Sequence, residues 1–211
     1  AYPTTAFAAG FVNALLRNFL RQQSGIVERL NRDDAVLYNA PPWWIEQVRA
    51  AEPREWRAVL AAGSGAPPLV LRLNPARVAV GDYLQQLEVQ GMAATRVGEQ
   101  AVWIHDPRPV GQIPGFDAGV VSVQDAGAQL AAPWLGVRAG MRVLDACAAP
   151  GGKTAHLTEL AEIELTAIEA DATRAGRIRE NLDRIGRHAQ ILVADARNTS
   201  LWWDGTPFDR I

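Results

Sequence analysis

The sequence predicts an α/β domain with a parallel sheet at the C-terminal end, preceded by a small α+β module and a helical segment. Three observations predict it. From Gly140 onward, short apolar runs alternate with helical stretches in the order strand, glycine turn, helix, strand, helix, strand, the rhythm of βαβ units. Within that stretch a turn of small residues joins an acid-ended strand to a helix. At the other end, Phe7, Phe11, Leu15 and Phe19, with Val12, Leu16 and Leu20, recur at helical spacing.

Taken in order, residues 4–23 read as a helix whose wide apolar stripe needs a packing partner. Asn39-Ala40-Pro41-Pro42 is a turn into a helix carrying Trp43, Trp44, Ile45 and Val48; proline is tolerated in a first turn because the N–H it lacks would be unpaired anyway. Core packing is the expected role of Trp43 and Trp44. A short helix follows at 56–60, and Gly63-Ser64-Gly65-Ala66-Pro67-Pro68 reads as a linker. The α+β module then has a strand at 69–73, a helix at 80–89 and a strand at 101–104, with a short helix expected at 124–131. In the last part, strands are expected at 141–145, 165–169 and 191–194, and helices at 153–160 and 172–185. Asp171 is the expected N-cap of the second helix and Gly186 its stop. The domain boundaries expected are 1–38, 39–123 and 124–211.

Apolar residues make up 48% and charged residues 21%, values of an ordinary globular chain rather than a disordered, collagenous or membrane one. Ala1 to Thr5 lack the basic and apolar regions of a signal peptide. Cys147 is the single cysteine, so no intrachain disulfide can form, and a reducing cytoplasm is the expected setting. His105, His156 and His188 are scattered, and no metal site is expected. A net charge of −2 does not by itself mark a nucleic-acid binder, although local basic patches suffice for phosphate contacts. Arg174, Arg177, Arg179, Arg184 and Arg187 are expected to form a solvated helix face with a Glu180–Arg184 pair. The chain does not open on Met and stops on Phe208-Asp209-Arg210-Ile211, which reads as the start of a strand; truncation at both ends is expected.

The stretch that carries chemistry is Val143-Leu144-Asp145-Ala146-Cys147-Ala148-Ala149-Pro150-Gly151-Gly152-Lys153-Thr154. Small residues let backbone approach a ligand, and a helix N-terminus offers free N–H groups. A phosphate-binding P-loop needs glycine five residues before the glycine of Gly-Lys-Thr, where this chain has Cys147. A dinucleotide fold needs Gly-x-Gly-x-x-Gly, which Ala146-Cys147-Ala148 does not supply. Acids stand at three successive strand ends, Asp145, Glu169 and Asp195. Glu169 lies where an acid accepts from ribose hydroxyls, and Asp195 where an adenine is expected. A lone strand-end acid is more often a turn former, but three in series favour a nucleoside ligand. Lys153 is the only lysine in the chain, and a compact ammonium suits a crowded carboxylate or cofactor site.

This stretch resembles the first S-adenosylmethionine (SAM) motif of the RNA cytosine-5 methyltransferases. Leu165-Thr-Ala-Ile-Glu-Ala-Asp and Val193-Ala-Asp-Ala-Arg resemble the second and third motifs. Gly119-Val-Val-Ser-Val-Gln-Asp-Ala-Gly-Ala-Gln-Leu resembles the segment preceding that domain, and Gly10-Phe-Val-Asn-Ala-Leu-Leu-Arg-Asn-Phe the end of the NusB-type helical domain of the bacterial 16S ribosomal RNA (Sun/RsmB-type) branch. The resemblance implies an incomplete Rossmann-like SAM methyltransferase domain. Cys147, Ala148, Ala149, Pro150, Gly151, Gly152 and Lys153 would cradle the methionine moiety, Glu169 would hold the ribose and Asp195 would face the adenine. It further implies methylation at carbon 5 of a cytosine in 16S ribosomal RNA, by a cytoplasmic monomer needing neither membrane nor metal.

In the family one cysteine thiolate adds to carbon 6 and activates carbon 5, and a second cysteine assists release; both are expected beyond Ile211. Cys147, in the cofactor turn, reads as a space-filling residue, so this stretch alone is expected to be inactive. Two other classes remain: a non-catalytic RNA-binding module working through its helical end, and a nucleotide-dependent oxidoreductase.

Overall fold

The computed structural model describes residues 8–211 and resolves into two units, Ala1–Pro67 and Pro68–Ile211. The part of the first expected helix at residues 4–7, Phe7 included, lies outside the described residues. No helix among the described residues is long and apolar enough to cross a membrane.

The first unit is helical: α1 (Ala9–Leu30), α2 (Asp34–Leu37), α3 (Pro42–Ala51) and α4 (Trp56–Gly63). Asp33 caps α2 by accepting from the Ala35 N–H. Ile45, Val48, Trp56 and Leu60 form the core, flanked by Ala35, Tyr38 and Ala40. Tyr38 meets Trp56 edge-to-face with ring centroids 5.8 Å apart, and the Arg49 and Arg57 guanidinium groups cover the same indole. Trp43 and Trp44 do not pack as expected: they are 60% and 44% exposed. The buried stripe of α3 runs through Ile45 and Val48, and helical spacing turns both tryptophans away from it. Helix α1 continues well past the expected end at residue 23. None of its residues is buried, so its apolar stripe stands open where a packing partner was expected.

The second unit opens with β1 (Leu69–Leu73), α5 (Val80–Val89), β2 (Ala94–Arg96), β3 (Ala101–Ile104) and β4 (Val121–Val123). These strands form an antiparallel sheet in the order β2-β3-β1-β4. Alternation sends Leu71, Leu73, Val102, Ile104 and Val121 into a core with Tyr83 and Leu87 of α5. A 3-10 turn, Ala128–Leu130, leads into α6 (Ala131–Leu135), which Gly136 ends in the left-handed conformation. The helix expected at 124–131 therefore starts later. Asp125 Oδ1 accepts from the N–H groups of Gly127 and Ala128 and holds its own segment as a turn.

The remainder is β5 (Arg142–Asp145), α7 (Gly152–Leu160), β6 (Glu164–Glu169), α8 (Ala172–Ile185) and β7 (Gln190–Val193). The strands run parallel in the order β5-β6-β7, the Rossmann-like arrangement foreseen. Arg210 bridges Val143 in parallel on the free edge of β5, in line with the strand start expected at Phe208.

Arg184 departs from its expected role. Glu180 pairs with Arg177 at 3.0 Å instead. Arg184 donates to the Phe116 and Val121 carbonyls and the Ser122 hydroxyl at 2.6–2.9 Å, and lies 4.1 Å over the Phe116 ring. Burial and the charge of Arg72 push its pKa below the ordinary arginine value. It fastens the parallel part to the antiparallel sheet.

Candidate functional site

The three parallel strands present their C-terminal ends in register: Asp145 opposite Ala167, and Glu169 opposite Val193. The turn after β5 is held on every side. The Ala148 N–H donates to the Ile168 carbonyl at 3.0 Å, tying the turn to β6, and the Ala155 N–H donates to Gly151 at 2.8 Å. Asn181 and Arg174 of α8 reach back to the Pro150 and Ala149 carbonyls at 2.7 and 3.3 Å. Gly151 has φ +98°, and a Cβ there would lie 3.0 Å from Ile178 Cα. Only glycine combines that backbone with so close an approach of α8.

The side chains of the expected cradle point different ways. Ala148 is buried in a cluster with Ala155, Ala167, Ile178, Leu182 and Ile185, so it can offer a ligand only backbone. Cys147 is exposed and free. Gly151 is buried, Ala149 and Gly152 half-buried, and Pro150 and Lys153 exposed. Asp145 accepts from the Thr154 hydroxyl at 2.8 Å, which locks the strand end to the first turn of α7. A cavity of about 310 Å³ opens beside this point, lined by Leu135, Leu144, Asp145, Ala146, Lys153 and Leu157 among others. Glu169 and Asp195 do not line it.

Glu169 is 6% exposed. Its Oε1 accepts from the Asp171 N–H at 3.1 Å and from Arg174 at 3.5 Å, while Oε2 has no hydrogen bond among the described residues. A buried carboxylate with one oxygen fixed and the other spare is prepared to accept from a hydroxyl. Asp171 caps α8 through the Thr173 and Arg174 N–H groups, as foreseen, and these bonds, that from Arg174 first, hold its carboxyl below the usual range. Asp195 is exposed and gripped by Arg197, whose Nη2 lies 2.6 Å from Oδ2. The Arg197 side chain, then its backbone N–H, pushes the Asp195 carboxyl down to about 2. A ligand at Asp195 has to share or displace that guanidinium.

Sequence reasoning missed Thr154, Arg174 and Asn181 as supports of the turn. Thr154 carried a faint signal, since a hydroxyl two residues into a helix can reach back to a strand-end acid. Asn181 and Arg174 carried none, because their partners lie 31 and 25 residues away. Among the described residues, no group of three His, Cys, Asp or Glu side chains could hold a metal ion.

Comparison with known proteins places this geometry in a wider setting. Residues 132–211 match the family described as 16S rRNA methyltransferase RsmB/F, and residues 40–111 match its ferredoxin-like domain. The chain is 41% identical over 209 residues to a Pseudomonas syringae pv. tomato protein named ribosomal RNA small subunit methyltransferase B, covering 97% of this chain and 47% of that one. A Vibrio cholerae protein of the same name is 42% identical over 205 residues, covering 96% and 47%. The chain thus spans about half the length of these relatives. The structure of a methyltransferase homolog from Pyrococcus horikoshii shares the fold at a TM-score of 0.71 and 22% identity, over 83% of this chain and 59% of that one.

Proposed function

Because the chain belongs to the RsmB/F family of 16S rRNA methyltransferases, we propose that it is the SAM-binding portion of an enzyme that methylates carbon 5 of a cytosine in small-subunit ribosomal RNA. The observation that carries this reading is the clamped turn at 147–153 standing next to Glu169 with one carboxylate oxygen spare. When bound, SAM would supply an electrophilic methyl group on its sulfonium. The chain's own residues would do the holding. The backbone of Cys147 to Lys153 would cradle the methionine moiety, Glu169 would accept from the ribose hydroxyls, and Asp195 would lie against the adenine. The residues fit such a guest: the turn is built of small side chains, Gly151 lets it pack tightly on α8 and so holds its shape, and α7 offers its N-terminus.

The nucleophile for cytosine is not among these residues. Cys147, the only cysteine here, lies in the cradle itself, and among the described residues no base is in hydrogen-bonding contact with it. This stretch alone therefore binds the cofactor and transfers no methyl group. Substrate RNA, a cytoplasmic setting and a monomeric state complete the proposal.

Calorimetric titration tests it. SAM should bind this chain and NADH should not, and Glu169→Gln and Gly151→Ala should each weaken SAM by roughly tenfold, a loss of about 1.4 kcal/mol. RNA affinity without any SAM affinity would favour a non-catalytic RNA-binding module instead.

A further inference from the structure

Arg72 is a β1 residue in the middle of the antiparallel sheet, yet its side chain is fully buried and all its bonds point at other elements. Nε and Nη2 donate to the two carboxylate oxygens of Glu159 at 3.1 and 2.9 Å. Nη1 donates to the Gly152 carbonyl at 2.9 Å and to the Gln124 side chain. Gly152 is the first residue of α7, and Glu159 lies in its last turn. Gly152, His156 and Glu159 recur at helical spacing on one face, so a single guanidinium grips both ends of the helix that follows the cradle.

A buried ion pair gains little stability over well-packed apolar side chains, because desolvation offsets the attraction. What the fork does supply is geometry: two parallel bonds to a carboxylate and a third to a carbonyl fix rotation and height together. The other hydrogen-bonding arginines of this junction work elsewhere. Arg77 donates to the Ile185 carbonyl at 2.7 Å and also to Ala118, and Arg184 reaches from α8 to Phe116, Val121 and Ser122. Both meet the C-terminal part of α8 and neither touches the turn.

We propose that Arg72 is a positioning residue for the cofactor cradle: by holding Gly152 and Glu159 from β1, it sets the placement of α7 and so of the 147–153 turn. The inference rests on the SAM reading for its functional meaning, but its physical content does not. It makes the ferredoxin-like module part of the cofactor site. A ligand that displaces β1 changes cofactor affinity, and by linkage the cofactor changes affinity for that ligand by the same factor.

The test compares the whole chain with Arg72→Met/Glu159→Leu, which removes both buried charges at once, and with Arg77→Met, which loosens the same junction away from the turn. Two readouts are taken: amide hydrogen exchange at Ala148 and Ala155, and the SAM dissociation constant. In the double variant both amides should exchange roughly tenfold faster and SAM should bind roughly tenfold more weakly, as expected for losing a bond to a charged group. Arg77→Met should change neither. Unchanged exchange in the double variant overturns the proposal, and so does an equal change in Arg77→Met, which would mark Arg72 as mere junction glue. If the wild-type chain shows no SAM affinity, the cofactor reading falls and the exchange comparison still decides the positioning role. Should the double variant fail to fold, Arg72→Lys replaces it. One ammonium cannot make all three contacts, so faster exchange at both amides is again expected and its absence again overturns the proposal.

Discussion

A neutral imidazole is sealed beside that guanidinium. His156 is 2% exposed and its Nδ1 has no partner. Burial, and then the charge of Arg72, lower its pKa from 6.5 to about 3. Because the folded value lies below the unfolded one, the unfolded chain binds the proton first on acidification. The stabilising effect is fully present above pH ~6.5 and is lost progressively as pH falls toward ~3. Between pH 7 and pH 5 this one group should cost about 2 kcal/mol. His156→Leu removes it, so urea unfolding at the two pH values should show a correspondingly smaller acid loss in the variant. An equal loss in both proteins would show that His156 takes up a proton without unfolding.

At the scale of elements, the junction between β4 and α8 is as tight as backbone allows. Gly119 has φ +67°, and a Cβ there would lie 2.6 Å from the Arg184 carbonyl oxygen and 2.7 Å from Ile185 Cα. Gly119→Ala should therefore destabilise the chain by ~2 kcal/mol or more, from left-handed strain and steric clash together. A thermal melt should show a lower Tm; an unchanged Tm would mean that the two elements separate without cost. The sequence made the βαβ elements legible because their periods are long enough to register: α5 and α8 fall on the expected residues, and β5, β6 and β7 begin within one residue of them. It did not reveal β2 and β4, each of three residues, too short for alternation to register. Nor did it distinguish Arg184 from its neighbours on α8. In sequence all of these arginines read as solvated, and what sets Arg184 apart is carbonyls more than sixty residues away. The site followed the same rule. Strand-end acids and the glycine turn were legible as a local pattern, while the clamps from Arg72, Arg174 and Asn181 are tertiary.

At the scale of the whole molecule, the chain divides between Pro67 and Pro68, at the end of the expected linker. Each unit has its own buried cluster, the condition for folding alone. The fragment 68–211 should retain the circular dichroism of its α/β content and bind SAM within about threefold of the whole chain, a change of ~0.7 kcal/mol. Failure of the fragment to fold would show that the helical unit stabilises its neighbour. The open stripe of α1, with Phe11 68% and Leu20 66% exposed, leaves with the other half.

Lys153 is the only lysine, and it stands exposed in the first turn of α7, lining the cavity beside the proposed cradle. A protease that cuts only after lysine therefore finds one scissile bond in the entire chain, and that bond lies inside the candidate site. The rate of a single cleavage becomes a clock for how often the turn opens, and any guest that closes the cradle slows it. The chain carries its own footprint reporter without a label or an added residue.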